Sequence, residues 1–243
     1  MAKFAMIVLM SFSAPVALAA PALAQQPPVA EAVSAAGQMT PEQIAAFNQA
    51  VTDFTAGQSA QQAGDNAAAV SKYDAAIPAI RTAVEVDPAK VDNVNFLANA
   101  LYADAAAYGA LGQMDKVIGL YGESLPHWRA VVKAKPADAG SRNILAGILI
   151  QLGNQKLGAQ DKAGSAPLYQ EALGLARASV AENGTDAVNR NILLSALIGA
   201  GQATGDSGLQ SEAANLSKAM LADGTVDATN KPAAEILSGA KAG

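Results

Sequence analysis

A 48-residue register runs through this chain, and it constrains the fold more than any other feature. Arg81, Arg129 and Arg177 are spaced 48 apart, as are Arg142 and Arg190, and these are all five arginines. Tyr73, Tyr121 and Tyr169 keep the same spacing, as do Asn95, Asn143 and Asn191. The punctuation Pro88, Pro136, Gly184 and Pro232 follows it too. Rare residues recurring at one period mark an internal repeat. Repeats of this length stack into arrays, whose surfaces bind partners more often than they catalyse.

Each repeat reads as two helices. In the second, Asp87-Pro88 predicts a helix start, with Asp as N-cap and Pro at the first position. Phe96, Leu97, Leu101, Ala105 and Tyr108 then follow at helical spacing. Leu111-Gly112-Gln113 is the turn, and Val117, Ile118, Leu120, Tyr121 and Leu125 form the next apolar face. Nothing alternates with period two, so strands are not expected. Thr40-Pro41-Glu42-Gln43 predicts the first helix start, a capping box with Pro at the first position. Pro78 and Pro126 share a register inside the second helices, where a bend is expected.

These positions resemble the tetratricopeptide repeat (TPR) family. Its pattern has a small residue on the first helix, a glycine at the turn, then small residues and an aromatic on the second. Here the first small position is Gly57, Ala105, Gly153 and Gly201, and the turn position is Gly64, Gly112, Gln160 and Gly208. On the second helix, Ala69, Val117, Ser165 and Ala213 precede the aromatic position Tyr73, Tyr121, Tyr169 and Ser217. Ala76, Ser124, Ala172 and Met220 follow. The resemblance covers about residues 43–240. It implies an all-α, right-handed solenoid of four hairpins, at about 40–87, 88–135, 136–183 and 184–231, with a cap helix at 232–240. The family period is 34, so the 14 additional residues predict roughly two more turns on each helix.

The first residues carry a different signal. Lys3, the apolar run Phe4–Met10 and the small-residue pattern Ala22-Leu23-Ala24 read as a signal peptide over 1–24, cleaved near Ala24-Gln25. Pro15 and Pro21 break the run, so it suits cleavage better than a membrane anchor, and no insertion is expected after its removal. Residues 25–39 read as a flexible linker, and 40–243 as the repeat domain. A periplasmic or secreted protein is therefore expected. It has no Cys, hence no disulfide or thiolate metal site. Without Lys3 the chain holds 15 basic and 21 acidic side chains, a net charge of −6, which argues against nucleic acid as a partner.

Two assignments compete for the repeated polar residues. Folding back at each inter-repeat turn sets Arg81 beside Asn95, Arg129 beside Asn143, and Arg177 beside Asn191. Hydrogen-bonded pairs at these junctions would fix the stacking. The alternative is a basic ladder for an acidic ligand. Tyr73, Tyr121 and Tyr169 are expected in the core. His127 is the only histidine, so it is either a lone acid–base group or a packing residue. Asp74, Glu123 and Glu171 are scattered along the array and suggest no metal cluster. Gly199-Ala200-Gly201 falls within a predicted helix, and the serines have no histidine partner, so no catalytic residue, cofactor or metal is expected.

A binding face remains. The TPR resemblance implies a groove lined by the first helices. Three residues before each small position stand Phe54, Tyr102, Ile150 and Ile198, and one after it stand Gln58, Ala106, Asn154 and Gln202. An apolar row beside an uncharged polar row suits an extended peptide or a helix. Alternatively, the apolar row packs inside the array. The expected function is a non-catalytic scaffold binding a protein or peptide. The alternative is a structural spacer or a self-assembling envelope protein, with a homo-oligomer as partner.

Overall fold

The computed structural model describes residues 37–239. The expected signal peptide and most of the linker lie outside them. The described residues are all-α, with nine helices and no strand. They divide into two compact units, residues 37–138 and 139–239.

The first unit holds α1 (Pro41–Gln62), α2 (Asn66–Val86), α3 (Val91–Ala110) and α4 (Met114–Ala134). Each helix packs on the next. The second holds α5 (Ala139–Gly158), α6 (Lys162–Glu182), α7 (Ala187–Thr204), α8 (Ser207–Ala222) and the short α9 (Lys231–Ser238). Consecutive helices pack there too, and α5 also touches α7. The helices α1 to α6 are 20 to 22 residues long, which accounts for the longer repeat. α2 and α4 continue past Pro78 and Pro126 to Val86 and Ala134.

Local chemistry sets the helix ends. Thr40 accepts from the Gln43 amide, and the Gln43 side chain accepts from the Thr40 amide, completing the capping box. Asp65, Asp161, Asp186 and Asp206 cap α2, α6, α7 and α8 through their carboxylates. Asp87-Pro88 behaves differently from expectation. Asp87 is the C-cap of α2, its carboxylate accepts from the Ala89 amide, and its carbonyl accepts from the Lys90 amide. Pro88 therefore sits in a turn, and α3 starts at Val91. Pro136 likewise precedes α5 by a turn, whereas Pro232 does lie in the first turn of α9. Proline's fixed φ suits a helix start and a turn equally.

Three interhelical turns place the expected residue at positive φ: Gly64 at 81°, Gly112 at 74° and Gln160 at 63°. The fourth turn uses Gly205 at 75°, and Gly208 lies inside α8. That shift is three residues, close to one helical turn. Ala213, Ser217 and Met220 consequently stay buried in their original register.

The repeated tyrosines are core residues, as expected. Tyr73 and Tyr169 are fully buried, and Tyr121 nearly so. Tyr73 lies against Gly57 and donates to Gln61, while Tyr169 lies against Gly153 and Gly199 and donates to Asn154. A Cβ built on Gly57 would stand 2.6 Å from the Tyr73 ring, and one on Gly153 would stand 2.9 Å from Tyr169. In these two helix pairs the small position thus admits the tyrosine ring of the same pair.

Candidate functional site

The eight positions expected to line a groove divide by burial. Phe54 is buried against Tyr73 and Phe96, at ring-centroid distances of 5.5 and 5.2 Å. Tyr102 is half-buried, stacked on Tyr121 at 6.0 Å and edge-on to Trp128 at 6.3 Å. Ile150 and Ile198 are buried in the second unit. Phe54, Ile150 and Ile198 are therefore packed side chains, while Tyr102 keeps part of its surface exposed. Gln58, Ala106 and Gln202 remain half-exposed, and Asn154 is committed to the Tyr169 hydroxyl at 2.6 Å.

Arg81, Asn95, Arg177 and Asn191 have hydrogen-bond partners other than one another. Arg81 donates through Nε and Nη2 to Glu123 Oε1, at 3.0 and 2.8 Å, linking α2 to α4. Asn95 accepts from Asn99 on its own helix. Arg177 donates to Glu212 of α8 at 2.6 Å. Asn191 donates to the Thr225 carbonyl and accepts from the Asp227 amide, so it ties down the loop before α9. Asn143 donates to Asn189 at 2.8 Å. Two charges attract more strongly than a guanidinium and an amide, and Arg81 and Arg177 each have a carboxylate within reach. Arg142, almost fully buried, pairs with Glu182, and Arg190 pairs with Asp223.

Asparagines just upstream do what the Arg–Asn pairs were expected to do. Buried Asn93 donates to the Ala83 carbonyl, across the α2–α3 turn. Buried Asn189 donates to the Ser179 and Asn183 carbonyls, across the α6–α7 turn. Asn93 and Asn189 are 96 residues apart, and so are Ala83 and Ser179. These staples thus recur every second repeat. Ser141 occupies the intervening position.

One polar cluster in the first unit belongs to no repeat. Asp104 of α3 is fully buried, and neither carboxyl oxygen has a hydrogen-bond donor. Its neighbour is the carboxyl of Asp74 on α2, within hydrogen-bonding reach. Asp74 is an acceptor as well, so no bond forms unless one of the two carries a proton. Asp74 already accepts from the Tyr108 hydroxyl at 2.8 Å. Burial first, then the charge of Asp74 and the bond to it, push the Asp104 carboxyl up to about 7, while Lys116 opposes them. Burial and Asp74 push the Tyr108 hydroxyl up to about 12. The Lys116 ammonium stands 5.9 Å from the Tyr108 ring centroid.

The sequence contained a signal for this pair. Asp104 lies three residues after Leu101 and four before Tyr108, on the face that the apolar residues define. Asp74, read alone, looks like one of several scattered acids. His127 is half-buried on α4, and burial lowers its pKa, with Glu123 opposing and Arg81 assisting. The imidazole is therefore neutral at pH 7. Among the described residues no group of three or more His, Cys, Asp or Glu side chains gathers as a metal site would require. No helix among them is long and apolar enough to cross a membrane. No protein-family model matches the chain, and no curated protein matches it.

Proposed function

We propose that this chain is an exported protein-binding scaffold, a right-handed TPR-like solenoid of four long hairpins with α9 as its cap. One observation carries this reading. The side chains that recur on the register are used in packing: Tyr73 and Tyr169 against their glycines, Arg81 and Arg177 against acids of the next helix pair. The half-exposed positions Gln58, Ala106 and Gln202 vary between repeats and are left to meet a partner. Arrays commonly divide their residues in this way, with repeated positions stacking and variable ones recognising. The partner is a protein or peptide, since the exposed row is uncharged and the chain is acidic overall.

The test places a photo-crosslinking residue at Gln58, Ala106 or Gln202 in the cell that makes the protein, with Glu85 on α2 as the control position. The expected result is one partner captured from the three positions, not from the control, and lost when Ala106→Arg is added. Capture of only the protein itself would move the reading to self-assembly. Equal capture from Glu85 would remove these positions from the binding face. Sequencing the mature N-terminus checks export, with Gln25 expected first.

A further inference from the structure

The Asp74–Asp104–Tyr108 cluster has no counterpart in the other repeats. The positions equivalent to Asp104 hold Ala56, Leu152 and Ala200. Those equivalent to Asp74 hold Gly122, Gln170 and Lys218, and those equivalent to Tyr108 hold Ala60, Lys156 and Thr204. Stacking therefore does not require it. A fully buried carboxylate without a donor is among the costliest groups a core can hold. Protonated, the same group becomes a donor that its neighbour Asp74 can accept. We propose that Asp74, Asp104 and Tyr108 form a proton-operated latch between α2 and α3, closed while Asp104 keeps its proton and loosened when the proton leaves.

In the closed state Asp104 and Tyr108, both on α3, donate to the one Asp74 carboxylate on α2. Two bonds then tie the helices through the exposed Asp74 side chain. In the open state two carboxylates face each other, and the buried one has neither water nor a donor. Separation of α2 from α3 at this point relieves the repulsion by admitting water. The surroundings are defined on each side. From α2 come Asp74 and the Tyr73 hydroxyl, from α3 Tyr108, and from α4 the Lys116 ammonium. The charges that act on Asp104 come from Asp74 and Lys116. Lys116 is exposed, so it moderates the effect without cancelling it.

The direction in pH follows from the carboxyl's two states. Its folded value, about 7, lies above its ordinary value of 3.8. Between these the folded chain binds more protons than the unfolded one, so stability is full below the ordinary value and falls as pH rises. Each pH unit in this window raises the unfolding constant about tenfold, and the effect levels off above the folded value.

Trp128 is the only tryptophan, it is buried, and it lies in the same unit as the latch. Its fluorescence during urea unfolding of the full chain therefore reports on the right helices. The unfolding constant is expected to rise about a hundredfold from pH 5 to pH 8, and this rise should vanish in Asp104→Asn. Carboxyl-carbon NMR should show one aspartate titrating far above the others, absent in Asp104→Asn and moved downward in Asp74→Asn. The NMR titration of the native chain stands even if Asp104→Asn fails to fold. An Asp104 carboxyl that titrates with the other aspartates would overturn the latch. So would an unfolding constant in the native chain that is the same at both pH values.

Discussion

Gly199→Ala should destabilise the second unit, although alanine is the better helix former. A Cβ on Gly199 would stand 2.0 Å from Tyr169 Cε1, 2.4 Å from Cδ1 and 2.5 Å from Cζ. Carbon atoms rest near 3.5 Å, so the ring must retreat by roughly 1.5 Å. It has little room to do so. Tyr169 is fully buried, Gly153 lies on another side of the ring, and Asn154 holds its hydroxyl at 2.6 Å. Overpacking of this kind costs about 1–3 kcal/mol, and this site belongs at the upper end. The helix preference for alanine returns about 0.5–1 kcal/mol. The net loss is about 2 kcal/mol, or about 4–8 °C in Tm for a chain of this size. Gly147→Ala is the control, because nothing stands within 4 Å of its Cβ. That substitution should raise Tm slightly. Circular-dichroism melts of both variants give the answer. A second change, Tyr169→Leu, removes the ring, so the two losses should fall short of adding, by at least about 1 kcal/mol. If Gly199→Ala melts at or above the native temperature, the tyrosine does not fill the space that the glycine leaves.

Three further outcomes are open to measurement by urea unfolding. Asn189→Ala removes two donated bonds and the acceptor of Asn143, and should cost about 2 kcal/mol. Asn93→Ala removes a single bond of 3.4 Å and should cost less. Gln160→Gly should stabilise by about 0.5–1 kcal/mol, because Gln160 sits at φ 63° where Gly64 and Gly112 stand in equivalent turns. Arg177→Ala breaks an ion pair whose two side chains are both about half exposed, and should cost less than about 1 kcal/mol, reduced further in high salt.

The sequence carried the helical architecture in its spacing. Tyr73, Tyr121 and Tyr169 revealed the register and proved to be core, and Thr40–Gln43 marked the first helix to the residue. The candidate groove was less legible. Phe54, Ile150 and Ile198 satisfy an apolar row whether it faces a partner or a neighbouring helix, and spacing alone does not separate the two. Arg81 and Arg177 found acids rather than the expected asparagines for a related reason. Folding back at a turn brings backbone positions together, yet a long arginine side chain selects among all acceptors in reach, and Glu123 and Glu212 outcompete an amide. Asp104 lay in plain view on an apolar face. Recognising its role required knowing that the face of α2 opposite it presents Asp74, which is a property of two helices and not of either alone.

The helix order also has a kinetic consequence. Every helix contact within each unit joins elements that are adjacent in the chain or separated by one other helix. Little chain must therefore be closed before a contact forms, and such topologies fold rapidly because the entropic cost of closure is met in small steps. Each helix finds its first partner in the segment made just before it. Folding of either unit is thus expected to keep pace with the emergence of the chain, and a helix pair near the start is complete before the last helix exists.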